Sequence, residues 1–178
     1  MIPRGRPVGG QGNVNGFGRL QQNSSVSKQA YTTPSYLLNI TPHQVAHLSE
    51  ADFQALGPDA MARYSEDVLK PVIDHGILKM NDETIAAIPL HYVTKIRPID
   101  LTYKVIHALT LAQFKVLTQA QIRSLDQFTL KDLDFDKKSI LVLKGGLSAD
   151  QVIAMLGSNA NEQIAQIKRA DQATKENI

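Results

Sequence analysis

The chain has 178 residues, with 19 lysines and arginines against 17 acids, a formal net charge of +2, and neither cysteine nor tryptophan. That is the length of one domain with tails. The missing cysteine excludes disulfides, thiolate metal sites and a cysteine nucleophile. No apolar run approaches the ~18 residues that cross a membrane, and the scarcity of aromatics argues against a stacking platform for single-stranded nucleic acid.

The first stretch, Met1–Ser35, is rich in Gly, Asn, Gln and Ser, and it is basic. Residues 1–49 hold Arg4, Arg6, Arg19 and Lys28 and no acid. Its basic residues are not followed by an apolar segment, so it does not read as a secretory signal. Its apolar content is too low to offset ordering entropy, so residues 1–36 are expected to be an extended arm that is disordered alone and held by other chains.

From Ile40 onward an apolar residue recurs every eight positions: Ile40, Leu48, Leu56, Tyr64, Val72, Met80, Ile88 and Ile96. A second column repeats five residues after each of these heads: Val45, Phe53, Met61, Leu69, Ile77, Ile85, Val93 and Leu101. At 43% hydrophobic residues, sixteen hits in sixteen places is a chance event on the order of one in a million. After a joint expected near Tyr103–Ala108 the heads resume at Leu109, Leu117, Leu125, Leu133 and Leu141. The second column follows as Phe114, Ile122 and Leu130, and fails at Lys138. A second joint is expected at Lys144-Gly145-Gly146, ending a helix on a left-handed residue. One more unit then starts at Leu147.

Eight residues fit neither one continuous helix nor a strand. The residue after each head resolves this. Thr41, Ser49, Gly57, Ser65, Asn81, Thr110, Thr118, Asp126, Asp134 and Ser148 are all good N-cap types, while Ile73, Pro89 and Arg97 are not. Glutamine follows four of the caps at capping-box spacing: Thr41–Gln44, Thr110–Gln113, Thr118–Gln121 and Ser148–Gln151. Each unit therefore reads as head, cap and one short helix. Pairs such as Val45–Leu48 and Ile122–Leu125 share a helix face. Such a helix cannot persist alone, so stacked neighbours must supply its burial. The expected fold is all-α: a solenoid of short capped helices with an eight-residue repeat over residues 37–156. Residues 157–178 are expected to form a short capping helix and a loose tail.

No motif for chemistry stands out. His43 and His47 share the spacing of a metal pair but have no acid between them, and His75, His91 and His107 stand singly. Asp132, Asp134 and Asp136 alternate but lack the glycine and the closing glutamate of a calcium loop. Gly9-Gly10-Gln11-Gly12 and Gly145-Gly146 lack phosphate-loop context. We therefore assign no catalytic, cofactor-binding or metal residue, and expect a protein that is not an enzyme and has no cofactor.

Leu109-Thr110-Leu111-Ala112-Gln113-Phe114 and Leu117-Thr118-Gln119-Ala120-Gln121-Ile122 resemble the short Leu-Thr-x-x-Gln repeat arrays of large bacterial surface or secreted proteins and of some large DNA viruses. The resemblance covers about two-thirds of the chain and implies architecture more than activity. Leu147-Ser148-Ala149-Asp150-Gln151-Val152 looks like the opening of a transcription-activator-like effector repeat, which implies DNA reading, but the glycine pair and a second copy are missing. The arm's four positive charges could contact only a few phosphates. The functional expectation is a scaffold in a large assembly, foremost a virion-associated minor capsid or cement component, with other protein chains contacted through the arm and the solenoid surface. The alternative is a bacterial adaptor or secreted effector binding one partner along the solenoid.

Overall fold

The computed structural model describes residues 32–176; the expectation for the arm Met1–Ser35 lies almost wholly outside them. Within them the chain is helical, with no strand. Its first helices are α1 Pro42–Val45, α2 Glu50–Ala55, α3 Pro58–Arg63, α4 Glu66–Gly76, α5 Asp82–Ala86 and α6 Leu90–Val93. A 3₁₀ turn, Pro98–Asp100, precedes α7 Tyr103–Ala108, α8 Leu111–Lys115, α9 Gln119–Arg123 and α10 Gln127–Lys131. The remainder is α11 Phe135–Lys144, α12 Ala149–Leu156, a 3₁₀ turn Gly157–Asn159 and α13 Ala160–Glu176.

The local signals act as expected. Ser49, Asn81, Thr110, Thr118, Asp126, Asp134 and Ser148 each accept a hydrogen bond from the third backbone N–H of the helix that follows. All four glutamine capping boxes form, and Ser49–Asp52 adds a fifth. Both apolar columns are buried from Ile40 to Leu133, apart from the half-buried Leu48. They make one continuous core.

Three departures have local causes. At Ile73 the chain offers no cap, so the helix runs through the boundary and two units fuse into α4; Val142 has the same effect within α11. The joint expected at Tyr103–Ala108 is instead the helix α7. Leu101 acts there as a head, Thr102 sits at the N-cap and Ile106 is fully buried. The irregular unit is the five-residue step from Ile96 to Leu101, where Arg97-Pro98 permits only one 3₁₀ turn, closed by an Arg97–Asp100 ion pair of 2.7 Å. Finally, the C-terminal segment is one 17-residue helix continuing to Glu176, not a short helix with a loose tail. Good helix formers and a Lys175–Asp171 pair one turn apart sustain it. The second joint is as expected: Gly145 and Gly146 have φ of 72° and 93°, and a Cβ on Gly146 would strike the Gln119 side chain.

The helices pack at a regular interval. Counting the fused helices as two units and the 3₁₀ turn Pro98–Asp100 as one, six pairs of units three apart pack together: α1 on α4, α3 on α5, α5 on α7, α6 on α8, α8 on α11, α10 on α12. In six helices (α5, α6, α8, α9, α11 and α12) the third residue adds a polar bond to an earlier part of the chain. Gln121 accepts the Thr118 N–H through Oε1 at 2.8 Å, and its Nε2 donates to the carbonyls of Val93 and Ile96, both at 2.8 Å. Gln113 does the same with Thr110, Ile85 and Ile88, and Gln151 with Ser148, Arg123 and Leu125. Thr84 donates to Leu56, Tyr92 to Glu66, and the Lys137 ammonium to Ile106 and His107. Gln113, Gln121, Thr84 and Lys137 are all 5% exposed or less. Burial lowers the Lys137 pKa, opposed by the Asp134 carboxylate. At the other end of the stack α13 packs on α11 and α12.

A glutamate at the third position would keep the capping box and forfeit the amide donors. We expect Gln121→Glu to destabilise the fold by about 3 kcal/mol at neutral pH, because two buried carbonyls lose their donor and face a charge. Gln44→Glu should stay within about 0.5 kcal/mol, since Gln44 is exposed and bonds to its own cap. Denaturant melts of both variants check this; equal losses would refute the donor role.

Tyr64 gives a pH test. Its hydroxyl donates to the Leu37 carbonyl at 2.5 Å, and burial, with a smaller contribution from the Asp59 charge, pushes its pKa up to about 12. A folded pKa above the unfolded value of about 10 means the contribution is intact below pH ~10 and is lost as pH rises through the folded value. Stability should fall by about 2–3 kcal/mol between pH ~10 and ~12 from this group alone. The slope should be correspondingly shallower in Tyr64→Phe, as measured by alkaline denaturation.

Candidate interaction surface

The residues with potential chemistry do not converge. The rings of His43 and His47 are 5.4 Å apart, edge to face, and both are exposed. Among the described residues, no three His, Asp or Glu side chains are arranged to hold a metal. His75 is exposed, and His91 lies 3.5 Å from Glu66 on an exposed face. Asp126 and Asp134 are caps, and backbone and side-chain bonds from Thr129 hold the Asp126 carboxyl below its ordinary pKa. An open groove of about 790 Å³ lies between α9–α10 and α12. Polar groups on its wall, Asp126, Ser148 and Gln151, are already engaged in caps.

One surface stands apart. Tyr103 and Leu111, at the starts of α7 and α8, and Phe128 and Phe135, at the starts of α10 and α11, are all exposed, with His107 and Asp132 beside Tyr103. The Tyr103 and Phe128 rings are 5.8 Å apart, and Tyr103 lies 4.2 Å from the His107 ring. The Tyr103 hydroxyl donates to Asp132, and that bond raises the phenol's pKa. His107 Nε2 is buried without a hydrogen-bond partner, 3.9 Å from the Asp132 carboxylate. Phe128 is 73% exposed and Phe135 68%, values far above those of the core apolar residues. Leu111 and Leu90, the first residues of α8 and α6, are also exposed, and α6 packs on α8 as α8 does on α11.

These positions are the first and second of their helices, or the helix end beside them. The two apolar columns do not include them, so the periodicity is blind to them. A signal was nevertheless present. In α2 to α5 the first two positions carry Glu50, Asp59, Glu66, Asp67, Asp82 and Glu83; in α6, α7, α8, α10 and α11 they include Leu90, Tyr103, Leu111, Phe128 and Phe135. Large apolar residues in places that need no burial mark an exposed patch.

Compared with known proteins, the chain matches no family model, no curated protein and no solved structure. The likeness to Leu-Thr-x-x-Gln arrays therefore rests on the residues alone.

Proposed function

We propose that the helices form an α-solenoid of eight-residue units, three units to a turn, and that it serves as a non-enzymatic scaffold binding other protein chains. The three-unit spacing of helix contacts and of the third-residue hydrogen bonds supports the first part. Deleting one unit, Leu117–Ser124, should leave a folded chain with modest loss of stability, because each unit depends mainly on its stacked neighbours. Deleting Leu117–Ala120 should be clearly worse, since it joins a head-and-cap junction out of phase. Circular dichroism melts check the order, and a better-tolerated four-residue cut would sink the repeat.

The binding role rests on the exposed patch of Tyr103, Leu111, Phe128 and Phe135. Aromatic side chains bring much contact area for little conformational entropy, and they dominate protein interfaces. The proposed setting is a large assembly, with a virion foremost. The confinement of the patch to α7, α8, α10 and α11 favours the second reading, an adaptor with one partner. No helix among the described residues is long and apolar enough to cross a membrane.

Phe128→Ser with Phe135→Ser should leave the melting curve nearly unchanged, because both rings are exposed, and should abolish recovery of a partner that the unaltered chain retains from its native source. Retention by both proteins would refute the patch. Sizing chromatography of the purified chain separates the settings: a compact monomer fits an adaptor, and self-association fits an assembly component.

A further inference from the structure

Four pairs of consecutive helices stack into a strip that ends in the patch. In one column α3 packs on α5 and α5 on α7, and the Tyr103 ring of α7 lies 5.8 Å from Phe128 of α10. In the other, the Tyr92 hydroxyl of α6 donates to the Glu66 carbonyl of α4 at 2.8 Å, α6 packs on α8, and α8 packs on α11. The layers of the strip are thus α3 with α4, α5 with α6, α7 with α8, and α10 with α11.

The exposed residues at the helix ends change character along it. The outermost layer carries Glu66 and Asp67 at the start of α4 and Arg63 at the end of α3; the second carries Asp82, Glu83 and Leu90. The third carries Tyr103 and Leu111, and the fourth Phe128 and Phe135, with Lys131 and Lys138 one helical turn after the two rings. Charge divides in the same way. Residues 58–93 hold three lysines and arginines against six acids, while residues 103–115 and 127–144 together hold six against three. Of those three acids, Asp134 caps α11 and Asp132 accepts the Tyr103 hydroxyl, which leaves Asp136. The helix dipoles favour acids at the starts of helices in every layer alike, so they do not account for the gradient.

A surface that fits this strip sets acids against its lysines and apolar side chains against Leu90 and Leu111, at the layer spacing of ~8–10 Å. The same strip turned end for end does so. Glu66 and Asp67 of one copy then meet the layer of Lys131 and Lys138. Arg63 meets Asp132 and the open faces of Phe128 and Phe135, and Leu90 meets Leu111. A two-fold axis repeats each contact. Four layers, two helices wide, offer on the order of 700 Å², near the ~800 Å² that each partner buries in a specific interface.

We propose that the chain forms an antiparallel two-fold dimer through this strip. The proposal rests on the aromatic patch being a partner site, and it names a second copy as the occupant.

Light scattering during sizing chromatography of the full-length chain should give twice the monomer mass at micromolar concentration. Phe128→Ser/Phe135→Ser should weaken the dimer by about 100-fold, since exposed aromatic anchors dominate such interfaces. Glu66→Lys/Asp67→Lys and Lys131→Glu/Lys138→Glu should each be monomeric, because like charges then face each other. An equimolar mixture of the two charge variants should restore the dimer, because every new lysine faces a new glutamate; that recovery also shows that both variants fold. A monomer at every concentration, a dimer indifferent to the double Phe change, or a mixture that stays monomeric would each overturn the proposal. Growth beyond two copies would place the contact head to tail and overturn it too. If the chain is monomeric and the double Phe variant still loses an outside partner, this inference falls and the partner site stands. If a dimer and an outside partner both survive the double Phe change, both readings fall.

Discussion

A helix of five residues cannot pair its own backbone. Its first four N–H groups and last four carbonyls have no partner within it, so almost every polar group of such a helix depends on something outside. The rest of this structure follows from how that demand is met. At the N-terminus the cap and the capping box supply acceptors. At the C-terminus of several helices the donors come from elsewhere: the third side chain of the helix four units later reaches the helix end, and in three cases the head that follows it. Because these carbonyls are buried, leaving one unmet would cost about 1–3 kcal/mol. Polar bonds therefore join the helices alongside the apolar columns.

This explains a choice that helix capping alone does not. A capping box accepts glutamate as readily as glutamine, and the positive end of the helix dipole would favour the charge. Yet Gln113, Gln121 and Gln151 are all amides. A carboxylate can only accept, whereas an amide both accepts from its own cap and donates to the helix beside it. Thr84 and Lys137 fill the same place with other donors. Asp52, a pure acceptor, is found near the start of the chain, where it takes the Tyr36 hydroxyl. The same rule accounts for a lysine buried to 5% exposure: its ammonium lies on the Ile106 and His107 carbonyls, with Asp134 3.8 Å away.

With the head, the cap and the third and fourth helix residues committed to the fold, the first two residues of each helix are the freest to vary. They include acids in α2 to α5 and a large apolar or aromatic residue in α6, α7, α8, α10 and α11. In the proposed solenoid this edge is where binding would be written without disturbing the stack, and Thr33 bonds to Asp59 on it.

Sequence alone determined the elements and their core. Heads and second-column residues were legible because burial of apolar side chains every eight residues leaves a one-dimensional trace, and caps were legible because they act within three residues of the helix they start. The same local logic placed the helix end at Lys144 before two positive-φ glycines. It misplaced the irregular unit, because Leu101 is apolar in either register and only packing decides which role it takes. It also cut α13 short, treating a polar tail as loose although its residues are good helix formers. The tertiary structure decided what joins one unit to the next. Partners 25 to 31 residues apart leave no periodic mark on the side chain that meets them, since a glutamine looks the same whether its amide is used once or three times. Nor could periodicity place Tyr103 against His107 and beside Phe128 and Asp132, because contacts between helices distant in the chain are set by how the helices pack, which no single unit contains.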